Sequence, residues 1–478
     1  MEEPGSNASS AVTVLSKCTV FPDRKSTLGD LKLTISDLTM LCWHYIQKGV
    51  LFITPSLPSQ TLIPHLITSL SKTLSIFPPL SGRLVTDSNG YIYITCNDAG
   101  ADFIHATATH FTLTDLLSSP DIHQAFEQFF PFHRKLNYDA HFSPILAVQV
   151  TYLPDGVFIG VAVCHAVTDG STLWNFFNTF ADISRGVTPL SRIPDFRRES
   201  ILNSKVAVQL PEGGIELAFN PDEPLRERIF SFSREAIQKL KSRVNHHRTS
   251  PENADVAELI SKLSDDTQLK TVTRNGSEME DVSSFQSLCA MMWQCVTRAR
   301  KLDGSETTTF RMAANIRNRL EPKLGEYYFG NAIQSIATCC KVYEVLNNDL
   351  TWCAEQLNKS VREYDSVVVR RVVENWEREP KCFKLGSQDG ALLLMGSSHR
   401  FPMYDNDFGW GRPLAVRSGG ANKFDGKISV YPGRKGGGSI DLEVALAPET
   451  MALLVTDSEF MLYATSHVSQ IWKGILLC

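Results

Sequence analysis

The sequence predicts an α/β protein of two domains, and three observations carry that expectation. A length of 478 residues exceeds what one hydrophobic core usually organises, so two domains of about 200 residues each are expected. Residues 157–163 form a near-continuous, β-branched apolar run of the kind that fills a strand buried on both faces. Just beyond it Leu173, Phe176, Phe177 and Phe180 recur at spacings of three and four, which marks a helix burying one stripe.

The other elements follow in chain order. Residues 12–20 read as a first strand. Residues 59–77 read as a helix with Leu62, Leu66, Leu70 and Leu74 on one face, stopped by Pro78 and Pro79. Asn89-Gly90 between apolar runs predicts a hairpin over 85–95. A second hairpin, over 146–163, turns at Pro154-Asp155-Gly156 and delivers the chain to His165. Residues 187–229, rich in Pro, Arg and Glu and without periodicity, are the expected crossover between a first domain at 1–186 and a second at 230–478. The second domain opens with a strand at 228–232 and a helix capped by Ser233, with Ala236, Ile237 and Leu240 on its inner face.

Between 250 and 282 acidic residues outnumber basic ones, which predicts a mobile surface insertion. Ser283 and Gln286 make a capping box before a helix carrying Leu288, Met292 and Val296. A strand at 310–314 then leads into a polar turn at 315–319, and 343–376 is mostly helical. After Gly390 short strands and glycine turns dominate, with strands at 427–431 and 440–447 joined through the glycines at 436–438.

Composition limits the function. The 43% hydrophobic and 21% charged fractions are those of a globular protein, and a net charge of −5 argues against nucleic acid as a partner. Eleven scattered cysteines without a C-x-x-C pair predict a reducing compartment. Residues 1–11 lack the basic and apolar regions of a secretory signal, and no window offers the roughly 18 apolar residues of a membrane span. A cytosolic, monomeric protein without a transmembrane segment is expected.

His165 stands where the buried strand must turn, and an imidazole at such a mouth is placed for proton transfer near neutral pH. Taken alone, a histidine at a strand end is more often a structural group than a catalyst, and Asp169 reads as the N-cap of the following helix. A second stretch adds weight. Residues 404–413 read YDNDFGWGRP, where two glycines flank Trp410, a composition that suits neither helix nor buried strand.

Together these stretches resemble the BAHD acyltransferases of plants, which carry His-x-x-x-Asp near the middle and Asp-Phe-Gly-Trp-Gly near the C-terminus. Both motifs are intact here, as His165 to Asp169 and Asp407 to Gly411. FPPLSGRL at 77–84, NDAGADF at 97–103, FSFSREAI at 230–237 and YFGNAI at 328–333 are similar to further family stretches in the same order. The resemblance therefore spans essentially the whole chain. Within the family, LWNFFNTFA and RFPMYDNDFGWGRPLAVRSGGANKFDGKIS look most like a cuticle-associated member.

The resemblance implies a two-domain, chloramphenicol-acetyltransferase-like fold, each domain a mixed sheet flanked by helices, with the active-site channel between them. A segment at about 407–431 is then expected to cross over and extend the first domain's sheet. The implied activity is acyl transfer from a CoA thioester to a hydroxyl acceptor, in cutin or related cuticular polyester formation. A phenolic or terpenoid alcohol, or an amine, is the alternative acceptor. A lyase is more remote, because that branch of the family lacks the active-site histidine.

His165 is the expected general base and acid, and Asp169, followed by Gly170, a structural partner. Asp407 is expected to pair with Arg317. Trp410, with Phe408, Gly409 and Gly411 around it, is expected to let backbone approach the channel, a structural role being favoured over an N–H that stabilises the oxyanion. No G-x-S-x-G elbow offers a nucleophile for a triad. Cys164 alternates away from His165 along the strand and is expected to be an inert core thiol. Ser233, Arg234, Lys239 and Lys241 at a helix start are the candidate contacts for CoA phosphates. Acyl-CoA is expected as co-substrate, with no permanent cofactor and no metal.

Overall fold

The computed structural model describes residues 12–210, 219–246, 281–383, 386 and 391–466. Two mixed sheets organise it. The first has six strands in the spatial order Thr13–Val20, Ala101–Thr107, Leu146–Tyr152, Gly156–Val163, Ile46–Ile53 and Ala415–Ser418. The second has seven, ordered Ile333–Lys341, Thr307–Asn315, Leu392–Ser397, Lys427–Pro432, Ile440–Leu446, Arg226–Phe232 and Thr465–Ser466. Each sheet contains both parallel and antiparallel pairs.

The strand Gly156–Val163 is buried along its whole length, as its unbroken apolar run requires. The helix Gly170–Ser184 follows it and packs beside the helix Ser59–Ile76. Asp169 starts the former helix by accepting a hydrogen bond from the Thr172 N–H at 2.9 Å. In the second half the helices Arg234–His246, Ser284–Arg300 and Leu350–Arg362 pack together. The expected capping box of Ser283 and Gln286 starts the central one.

The 343–376 stretch is divided into three helices. Asp349 and Asp365 each cap a fresh helix start, so their side chains bond backbone N–H groups that a continuous helix would have used itself. Most of the 250–282 insertion lies outside the described residues. Its last residue is anchored, because Val282 is fully buried and its N–H donates to Asn245 Oδ1 at 3.0 Å.

The exchange of strands between halves is narrower than expected. Ala415–Ser418 joins the first sheet against Ile46–Ile53, whereas Lys427–Pro432 already belongs to the second. The chain thus crosses back within a few residues, which places Ser418 and Tyr431 side by side where the two halves meet. The first core runs through the same junction, since Ile316, Tyr328 and Phe329 from the second half pack into it. No helix among the described residues is long and apolar enough to cross a membrane.

Candidate active site

A cavity of about 1840 Å³ lies between the halves and is lined by residues of both, among them Trp43, Lys48, His165, Arg311, Phe401 and Lys427. Pockets for a single small ligand run to about 1,000 Å³. This one has room for two co-substrates at once.

His165 is half-buried in its wall, with its edge against the Trp43 ring at 5.6 Å. The imidazole Nδ1 lies 3.0 Å from the Thr168 carbonyl. A carbonyl oxygen only accepts, so Nδ1 carries the proton. Nε2 makes no hydrogen bond with any described residue and keeps its lone pair for the cavity. The backbone of His165 is held on both sides. Its N–H donates to Asn137 Oδ1 at 2.6 Å, and its carbonyl accepts from Asn331 Nδ2 at 2.6 Å. Burial lowers the His165 pKa below its ordinary 6.5, against the opposing pull of Asp169 and the Thr168 hydrogen bond, so the neutral base is the resting form.

Asp169 is fully buried and every oxygen is engaged. Arg317 Nη1 donates to Oδ2 at 2.6 Å and Nη2 to Oδ1 at 3.1 Å. The Thr172 N–H at 2.9 Å and the Ala332 N–H at 3.2 Å complete the set. Burial alone would raise the carboxyl; Arg317 and the N–H donors outweigh it and hold the pKa below the usual carboxylate range. Gly170 gives room to a neighbour, since a Cβ there would sit 2.6 Å from the Phe401 ring.

The expected pairing of Arg317 with Asp407 is therefore corrected. Arg317 follows the strand Thr307–Asn315 into a turn that faces the His165 turn, and there it is bound to Asp169. Asp407 lies beyond the other end of the helix Gly170–Ser184 and meets Arg185 at 3.5 Å. Its Oδ1 accepts from the N–H groups of Gly409, Trp410 and Gly411 at 2.8, 3.0 and 2.9 Å. Gly409 and Gly411 take φ of 94° and 83°, which this tight fold requires.

Phe408 is buried against Phe180 at 5.0 Å and stacks with Trp410, whose ring meets Phe52 edge-on at 5.2 Å. None of the residues from Asp407 to Gly411 lines the cavity. Of the two readings of this loop, oxyanion donation finds no support, because the N–H groups of Gly409, Trp410 and Gly411 are spent on Asp407.

Ser233, Arg234, Lys239 and Lys241 also lie off the cavity lining. Ser233 Oγ accepts from the Ala236 N–H at 3.1 Å. Lys239 sits over the Tyr463 ring at 5.9 Å, and Lys241 is 3.9 Å from Asp281. Cys164 faces the core, and burial pushes its thiol far above the usual range.

Sequence reasoning missed Asn137 and Asn331, the clamps on His165. Asn331 does lie in the YFGNAI run, but nothing in its spacing signals a contact with His165. It also missed Lys48, Lys427 and Glu443, whose only signal was a charged residue inside an apolar strand run.

Two mixed sheets facing each other across a deep cavity, with a histidine of one unspent nitrogen in its wall, define the two-domain acyltransferase class. The transferase family model matches residues 10–461, and the chain belongs to that family, the BAHD acyltransferases. It is 34% identical over 469 residues to an uncharacterised acetyltransferase of Arabidopsis thaliana, covering 94% of this chain and 98% of that one. It is 33% identical over 475 residues to the BAHD acyltransferase DCR of Arabidopsis thaliana, covering 94% and 92%.

In fold it is similar to vinorine synthase, with a TM-score of 0.70 at 21% identity over 96% of this chain and 100% of that one. F. sporotrichioides TRI101, complexed with coenzyme A and T-2, gives 0.69 at 19% identity over 92% and 100%. The expected chloramphenicol-acetyltransferase-like fold is thus established. The protein is an acyltransferase moving groups other than aminoacyl groups, from a family that uses acyl-CoA as co-substrate.

Proposed function

We propose that this protein transfers an acyl group from acyl-CoA to a hydroxyl, with an aliphatic acceptor of cutin or related cuticular polyester. The observation that carries the chemistry is His165, whose Nδ1 is tied to the Thr168 carbonyl and whose Nε2 is offered to the cavity. Nε2 takes the acceptor's proton as its oxygen attacks the thioester carbonyl. The C–O bond forms, the C–S bond breaks, and the same proton passes to the leaving sulfur. Asp169 and Arg317 position the turn and do not touch the reacting atoms. Direct transfer is favoured over an acyl-cysteine route because Cys164 is buried with a raised pKa.

The cuticular acceptor is supported by the whole-chain similarity to DCR and by the apolar walls formed by Trp43, Met312, Ile336 and Leu394. CoA phosphates reach the helix start at Ser233 and Arg234 in this reading, outside the cavity. The exposed thiols of Cys18 and Cys339, outside any disulfide, fit a cytosolic site of action.

The test is thiol release by the purified protein with a panel of acyl-CoAs and acceptors. Turnover of long-chain aliphatic alcohols or hydroxy acids is expected. Turnover confined to phenolic or amine acceptors overturns the cuticular assignment and leaves the acyl-transfer chemistry standing.

A further inference from the structure

Beside His165 the cavity wall carries a polar cluster drawn from both sheets. Lys48 of the strand Ile46–Ile53 donates to Ser418 Oγ at 2.6 Å and to the Tyr431 hydroxyl at 3.2 Å. Lys423 is bound between Glu227 and Glu443. Glu443 also accepts from the Tyr431 hydroxyl at 2.8 Å. Asp425 is bound to Arg300 at 2.8 Å. Lys427 is different, since its ammonium makes no hydrogen bond or ion pair with any described residue. Its Nζ lies against Gly396, where a Cβ would come within 3.0 Å of it, so the glycine leaves it space.

Three ammonium groups, those of Lys48, Lys423 and Lys427, thus face two carboxylates, and both carboxylates are committed to Lys423. An uncompensated charge in a wall of low dielectric is costly unless a partner arrives. Burial, reinforced by Lys48 and opposed by Glu443, brings Lys427 down to about 7. Ser429, two residues along the same strand face, lines the cavity next to it.

We propose that Lys427, backed by Lys48 and Ser429, binds a carboxylate carried by the substrate at the reacting end of the cavity. Given the acyl-transfer reading above, that carboxylate belongs to a hydroxy acid acceptor or to the free end of a dicarboxylic acyl group. The phosphates of CoA are not the anion, because they sit at the far end of the pantetheine arm from the thioester that His165 serves. The aliphatic part of either substrate lies along the apolar wall.

Two pairs of substrates separate the sources. In one, an ω-hydroxy fatty acid is compared with its methyl ester at a fixed acyl-CoA. In the other, a dicarboxylic mono-CoA thioester is compared with its methyl ester at a fixed alcohol. The wild-type protein is expected to favour the free acid in one pair by about tenfold or more in kcat/KM, the worth of one hydrogen bond to a charged group. Lys427→Met and Lys427→Gln abolish that preference through KM, and Lys427→Arg keeps it. An acid-to-ester ratio unchanged by Lys427→Met and Lys427→Gln in both pairs overturns the proposal. If no pair releases thiol, the acyl-transfer reading is wrong. Calorimetric titration of the same acids and esters then decides the carboxylate site without turnover: equal binding of acid and ester by the wild-type protein overturns it, and tighter acid binding lost in Lys427→Gln upholds it.

Discussion

The turn at His165 and the loop at Asp407 occupy opposite ends of one helix. Gly170–Ser184 has 15 residues, and at 1.5 Å per residue it separates them by about 22 Å. Both contain an aspartate with a glycine one or two residues on, and both bind backbone N–H groups through it. They differ in what is left over. At the first end Nδ1 of His165 is spent and Nε2 is free, facing a cavity. At the second, three successive N–H groups and a carboxylate close on each other, and the aromatic rings turn into the first core. A motif's chemistry lies in the polar atom it leaves unspent toward a cavity, and of the two ends the first is the one that lines it.

Replacing His165 is the most direct way to break that contrast. His165→Ala is expected to lower kcat by about 10²- to 10⁴-fold, the usual contribution of a general base, with little change in melting temperature. A folded variant with wild-type turnover would place the chemistry elsewhere in the cavity.

Asp169→Asn comes next, because it acts through stability as well as activity. It leaves Arg317 buried at 3% exposure without its counter-charge, and removing one partner of such a pair costs about 3–5 kcal/mol. Activity and melting temperature should fall together. Loss of activity at an unchanged melting temperature would instead make Asp169 part of the reaction.

The depressed pKa of His165 sharpens the comparison through pH. Protonation removes the base, and burial moves it below the ordinary 6.5. Activity should therefore hold through neutral pH and fall only as pH drops below 6.5. The sign for stability is the same: a histidine held neutral contributes fully above 6.5, and the contribution is lost as pH falls through the lowered value. Asp169, depressed from 3.8, adds its own loss only in stronger acid. An acid limb of kcat/KM centred above 6.5 would contradict the assignment.

What was legible in the sequence follows from range. The strand, turn and helix around His165 depend on periodicity over a few residues, and both motifs are contiguous. The partner of Arg317 was not legible, because Asp169 lies 148 positions away and only the docking of the two halves brings them together. Asn137 and Asn331 reach His165 across 28 and 166 positions of chain, both beyond local periodicity. Lys48 and Lys427 look like ordinary solvated strand residues until register shows which face they take. Lys48 stands opposite Ser418, and Ser429, on the face of Lys427, stands opposite Glu443.

The smallest effect is expected at Asp407, where the comparison is most exposed to error. Asp407→Asn keeps a side-chain oxygen for the N–H groups of Gly409, Trp410 and Gly411 and removes only the charge. The charge faces Arg185 at 3.5 Å across a partly exposed contact, with 27% and 36% of the two side chains accessible. Such pairs contribute about 0–1 kcal/mol after screening by solvent. Arg185 also keeps Asp182 at 2.7 Å, which reduces the loss further. Asp407→Asn should therefore retain nearly full activity and stability. Asp407→Ala strands three N–H groups and should cost about 1–3 kcal/mol, with activity recovered when the assay is cooled below the melting transition. Turnover lost in Asp407→Asn at an unchanged melting temperature would give this loop a direct part in acyl transfer and erase the distinction between the two ends of the helix.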